Sequence, residues 1–139
     1  MTSYAQARGL PVVTLGDARE IGELTSLALD AVAGRLTHVL VSGRGRKETA
    51  VAWDALHAVG PDAVLVEPDF RPESVPPGPR HEALGSRVLS EDGAEHGAVQ
   101  DLVFDPSTGR IETVVTTLGE VRGDRLLGLG DFALVVRAD

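Results

Sequence analysis

The residues best equipped for chemistry are four histidines, one basic glycine-rich stretch and two aspartates that each precede a glycine. His38, His57, His81 and His96 include no pair three or four apart, so no helical metal motif is present. Ser42–Lys47 (SGRGRK) sets three positive charges among two glycines, the composition of a phosphate cradle. The phosphate-binding pattern, however, ends in Gly-Lys-Ser/Thr and opens a helix. This stretch runs into Lys-Glu-Thr and opens a strand, so it reads as a solvated hairpin loop. Arg44, Arg46 and Lys47 are then candidate contacts for an acidic partner. Asp30 and Asp105 each stand four residues before a glycine that an arginine follows: Gly34-Arg35 and Gly109-Arg110. An aspartate there accepts backbone N–H groups of its own turn. A calcium loop would need its glycine one place later and a closing glutamate. No Gly-x-Ser-x-Gly nucleophile elbow occurs. Trp53, the only tryptophan, either caps a core or is an exposed anchor for a partner. These residues predict no catalytic, cofactor or metal site; the six turn residues are structural.

Composition narrows the partners. The chain has 139 residues, 42% of them hydrophobic, so a core can form. Aromatic residues are 4%, a poor stock for stacking bases. The formal net charge is -8, with -3 over residues 10–67 and -5 over 83–139. Phosphate backbones and anionic membrane surfaces draw on clustered Lys and Arg, so neither is an expected partner. No stretch approaches a membrane span, and MTSYAQARGLPVV lacks the features of a signal peptide. The absence of cysteine fits a reducing compartment, and the expected location is the cytoplasm.

The elements that must position these residues are short strands. Leu10–Leu15, Ile21–Asp30, Arg35–Ser42, Glu48–Trp53 and Ala63–Glu67 are apolar, β-branched or alternating, with turn residues between them. Asp54–Val59 reads as one helical turn with Asp54 as N-cap. Five strands in under 60 residues predict a small β-barrel. Residues 1–8 read as a flexible leader, and 68–82, with five of the eight prolines, as a linker.

After the linker the pattern restarts. Gly22 and Gly97, Leu27 and Leu102, Asp30 and Asp105, Gly34 and Gly109, Arg35 and Arg110, Val39 and Val114 are all 75 apart, which is an internal repeat. In both copies the apolar spacing slips by one residue, between Leu24 and Leu27 and between Val99 and Leu102. Such a slip predicts a β-bulge in each long strand. Val64 aligns with Leu134 at an offset of 70, and the loss is placed near the Trp53–Val59 step. Arg122-Gly123-Asp124 reads as a hairpin turn.

Both copies, VVTLGDAREIGELTSLALDAVAGRLTHVLV and RVLSEDGAEHGAVQDLVFDPSTGRIETVVT, resemble the PRC-barrel family. Its pattern is an apolar strand, an acidic turn, Ile-Gly-x-Val, a strand ending in Asp, and a Gly-Arg turn into a Val-rich strand. Val51-Ala52-Trp53 is similar to the family's apolar-Pro-Trp step, which the second copy lacks. The resemblance implies an all-β protein of two tandem barrels, over 9–67 and 83–139. It also implies a non-catalytic scaffold or protein-interaction module, not an enzyme. Members include the cytoplasmic barrel of a reaction-centre subunit and the C-terminal barrel of a ribosome maturation factor. Neither role carries over to an acidic chain with no membrane span. A barrel near 60 residues is marginal alone, so the two are expected to pack with pseudo-two-fold symmetry. A small-ligand sensor holding its ligand between the barrels is the alternative, and homo-oligomers stay open.

Overall fold

The computed structural model describes residues 1–43, 47–74 and 82–138. The described residues form fourteen strands: β1 (Thr2–Ser3), β2 (Pro11–Thr14), β3 (Glu20–Asp30), β4 (Arg35–Ser42), β5 (Glu48–Ala52), β6 (Leu56–Val59), β7 (Val64–Val66), β8 (Glu73–Ser74), β9 (Arg87–Ser90), β10 (Glu95–Phe104), β11 (Ile111–Thr116), β12 (Gly119–Arg122), β13 (Leu126–Leu129) and β14 (Leu134–Val136). They make two sheets of one design. The first runs β6-β7-β2-β3-β4-β5-β8 and the second β13-β14-β9-β10-β11-β12, with β1 added beside β10. Among the described residues each has one parallel contact, at the same place: Val12 opposite Val64, and Val88 opposite Leu134. The fold is therefore all-β, two small tandem barrels built on a repeat.

The slip in apolar spacing marks a real bulge. The β3–β4 register shifts between Leu24 and Ser26, and the β10–β11 register shifts between Val99 and Asp101. A second shift follows at Ala28/Leu29 and at Val103/Phe104. Each bulge turns the strand and keeps Leu24 and Leu27, or Val99 and Leu102, facing the core.

The turn before each long strand is closed by its own acid. The Thr14 hydroxyl donates to the Asp17 carboxylate, and the Ser90 hydroxyl to that of Asp92. These hydrogen bonds hold both carboxyls below the ordinary value of 3.8. A carboxyl lowered by folding adds stability above its unfolded pKa and loses it as pH falls through the folded one. The urea midpoint should thus hold down to about pH 4 and then decline. Asp17→Asn with Asp92→Asn keeps both acceptors and should flatten that decline; a curve identical to the wild type would remove the assignment.

Five sequence expectations change. Residues 1–8 are folded rather than loose: β1 pairs with β10, and Tyr4–Ala7 form one helical turn, α1, with Ser3 and Gln6 in a capping box. The linker expected over 68–82 contributes β8, which pairs with β5, while residues 75–81 lie outside the described part. Trp53–Ala55 is a single 3-10 turn capped by Ala52 without a side-chain bond, and Leu56–Val59 is a strand rather than a helical turn. Arg122-Gly123-Asp124 is no hairpin: Gly123–Arg125 is the matching 3-10 turn. The missing five residues therefore lie elsewhere. Val41 pairs with Thr49 and Thr116 with Gly119, so the loss is in the hairpin that holds SGRGRK.

Both halves feed one apolar cluster. Tyr4, Val12, Leu24, Leu36, Val39 and Trp53 join Val88, Leu102, Phe104, Ile111 and Leu134 in it. A barrel near 60 residues is marginal alone, and here the two share one apolar cluster.

Candidate interaction surfaces

The two Asp-to-Arg turns meet each other. In each, the glycine N–H donates to the aspartate carbonyl, Gly34 to Asp30 at 2.9 Å and Gly109 to Asp105 at 2.7 Å. The carboxylates accept turn amides as expected, Asp105 from Ser107 at 2.8 Å and Asp30 from Ala33 at 3.2 Å. The chain then crosses between halves. The Leu36 N–H donates to the Gly109 carbonyl at 2.7 Å, and the Ile111 N–H to the Gly34 carbonyl at 2.9 Å. Arg35 and Arg110 form an antiparallel bridge between these bonds. Leu36 and Ile111 are repeat equivalents, as are Gly34 and Gly109, so the pair of bonds has local two-fold symmetry. The Arg35 guanidinium also donates to the Thr108 carbonyl at 3.1 Å.

Beside this axis lies Trp53, buried at 6% exposure. Its ring stands edge-on to Phe104 of the other half, centroids 5.6 Å apart at 88°. Gly109 makes room for it. Its φ is +79°, and a Cβ there would lie 3.0 Å from the Leu36 carbonyl oxygen and 3.1 Å from the indole. The indole N–H is buried without an acceptor among the described residues. At the equivalent place in the second half stands Gly123, where a Cβ would fall 1.8 Å from the Ile111 carbonyl oxygen. One indole therefore serves an axis that has two equivalent positions. On the Gly123 side, a cleft of about 390 Å³ is lined by Val32, Gly34, Arg110, Leu126 and Arg137.

A second feature lies on the outside of the second barrel. Phe132, in the β13–β14 turn, is 65% exposed. The Arg87 guanidinium sits over its ring, 4.7 Å from the centroid, and pairs with Glu95 at 2.9 Å. The pair borders a groove of about 540 Å³ with Gly85, Gly97 and Thr117 in its wall. Leu118, 75% exposed, caps the neighbouring β11–β12 hairpin.

A family model described as the PRC-barrel domain matches residues 1–70 and again residues 79–138. The chain belongs to the PRC-barrel family. No curated protein matches it. The first match begins at residue 1, so the family pattern takes in the segment that carries Tyr4.

In this PRC-barrel pair the predicted residues separate. The six turn residues gather at the junction of the barrels. Trp53 is not the exposed anchor considered for it; packing against the second barrel buries it. Arg44 and Arg46 lie outside the described residues. Lys47 is exposed, and its carbonyl accepts the Gly43 N–H at 3.1 Å, closing the base of that loop. Trp53 and Lys47 thus share no surface. His38 pairs with Glu73 at 3.3 Å and His57 with Glu67 at 3.0 Å; His81 lies outside the described residues. Among the described residues no three His, Asp or Glu side chains converge to hold a metal. The Arg87–Phe132 pair was missed by sequence reasoning. Its signal was present: at the offset of 70, Phe132 replaces Asp62, an aromatic ring where the first copy has a charge.

Proposed function

We propose that this tandem PRC-barrel chain is a non-catalytic, cytoplasmic protein-interaction module that docks a protein partner at the Arg87–Phe132 groove. The observation that carries this is the solvent-facing Phe132 under the guanidinium of Arg87, which pairs with Glu95. The chain has three Phe, one Trp and one Tyr; an exposed ring is therefore a use of scarce material. Aromatic residues and Arg are enriched where interfaces gain their affinity. Glu95 pairs with Arg87, so the ring and the cation present an apolar and a charged face side by side. Against a small ligand between the barrels stands the Trp53 side of the axis, where the indole packs on Phe104; the cleft on the Gly123 side is the place such a ligand would take.

The test is capture by the full chain beside two variants. Phe132→Asp should lose at least about thirtyfold in retention of the wild-type partner, the scale of an interface hot spot. Lys47→Glu should retain it. Equal retention by Phe132→Asp would remove the groove from the function.

A further inference from the structure

The two barrels differ at one sheet edge. In the first, β8 closes the outer side of β5 in antiparallel fashion, with Thr49 opposite Ser74 and Ala50 opposite Glu73. In the second, β12 takes the place of β5. Gly119 and Glu120 stand at the equivalent positions, and among the described residues no strand lies beyond them. Gly119, Glu120 and Arg122 are exposed, while Val121 packs against the core. The outer amides and carbonyls of β12 thus form a template for another strand. β8 on β5 shows that this barrel design leaves room for one.

We propose that β12 pairs with β12 of a second copy of this chain, antiparallel, about a two-fold axis at Val121. The order Glu120-Val121-Arg122 selects the register. With Val121 opposite its own counterpart, Glu120 of each copy faces Arg122 of the other, on the exposed side of the joined sheet. Opposite charges placed directly across antiparallel strands attract. A slip of two residues in one direction sets Glu120 against Glu120, and in the other Arg122 against Arg122. A slip of one residue sets outward-facing amides against inward-facing ones, so the ladder cannot form. The charges that guard this edge against indiscriminate pairing therefore leave one self-complementary arrangement. Arg122 is bound to Asp124 at 2.9 Å, but it is 80% exposed, so exchanging that partner for Glu120 costs little. Repulsion between two chains of charge -8 opposes the dimer, and physiological salt screens it beyond about 8 Å. Four-residue strands bury little area, so the association is weak and concentration-dependent.

Sedimentation velocity of the full chain over rising concentration tests this. The wild type should pass from monomer to dimer. Glu120→Arg or Arg122→Glu turns both cross-strand pairs into like charges and should weaken the dimer at least about tenfold. The two single variants mixed in equal amounts should form a heterodimer, since each supplies the charges the other lacks. The double swap, E120R with R122E, should regain the homodimer. Unchanged circular dichroism checks that the exposed substitutions leave the fold intact. A wild type that stays monomeric at millimolar concentration, or a dimer indifferent to E120R, overturns the proposal. Either result leaves the Phe132 groove untouched, because capture there does not require β12.

Discussion

Replacing Trp53 with Ala should cost the chain about 3–5 kcal/mol of stability, the usual range for deleting a buried large aromatic. The total for a domain of this kind is about 5–15 kcal/mol, so much of the fold's margin would go. The indole lies between the barrels rather than within one, against Phe104 and Gly109. Its loss should therefore lower the unfolding of both halves together, as one transition at a reduced urea midpoint. Far-ultraviolet circular dichroism would follow the strands, and near-ultraviolet signals of Tyr4 and the Phe residues the packing. Trp53→Phe should recover part of the loss, because it refills some of the space and removes an indole N–H that has no acceptor among the described residues. A midpoint loss worth under about 1 kcal/mol, or two separate transitions, would mean the barrels do not share their core.

The second large effect is at Tyr4. Its ring is fully buried, and its hydroxyl donates to the Glu82 carboxylate at 2.6 Å. The same oxygen lies 2.9 Å from the Ser26 hydroxyl and accepts the Leu27 N–H at 3.1 Å. The first turn of the chain is thereby tied to the long strand of the first barrel and to the entry of the second. Tyr4→Ala should cost about 3–5 kcal/mol. Tyr4→Phe, which only unpairs the buried partners, should cost about 1–3 kcal/mol. Burial, with the Glu82 hydrogen bond next, raises the phenol from 10.0 to about 12. The protonated phenol is favoured in the folded state, so its contribution is complete below pH 10.0 and is lost as pH rises towards about 12. Tyr4→Phe should lack that alkaline loss. Wild-type stability in the Ala variant would return residues 1–8 to the status of a loose leader.

The sequence carried the repeat, the long strands and the bulges because each is written in local spacing. The constant offset of 75 fixed which turns match, and the broken phase at Leu24–Leu27 and Val99–Leu102 located both register shifts. What it hid depends on contacts made across the chain. Tyr4 sits in a small, polar segment with no apolar period, and its partner Glu82 is 78 residues away. The position of the five-residue loss follows from strand pairing at Val41–Thr49 and Thr116–Gly119, which no single strand reports. Trp53 ends an apparent edge, and only the second barrel makes that edge interior. Phe132 faces solvent from the β13–β14 turn, and the buried alanine after it marks the return to the core.

The crossed bonds between the Gly34 and Gly109 turns have an evolutionary consequence. Two free single barrels meeting through such turns would carry every substitution twice, once on each side of their axis. Joined in one chain, they meet at the high effective concentration of a tether and need not attract each other equally from both sides. One side can then keep an indole while the other shrinks to a glycine, and one rim can gain Phe132 while its twin stays an aspartate. Fusion thus converts an obligatory symmetry into two independently adjustable flanks on a shared hinge of main-chain bonds.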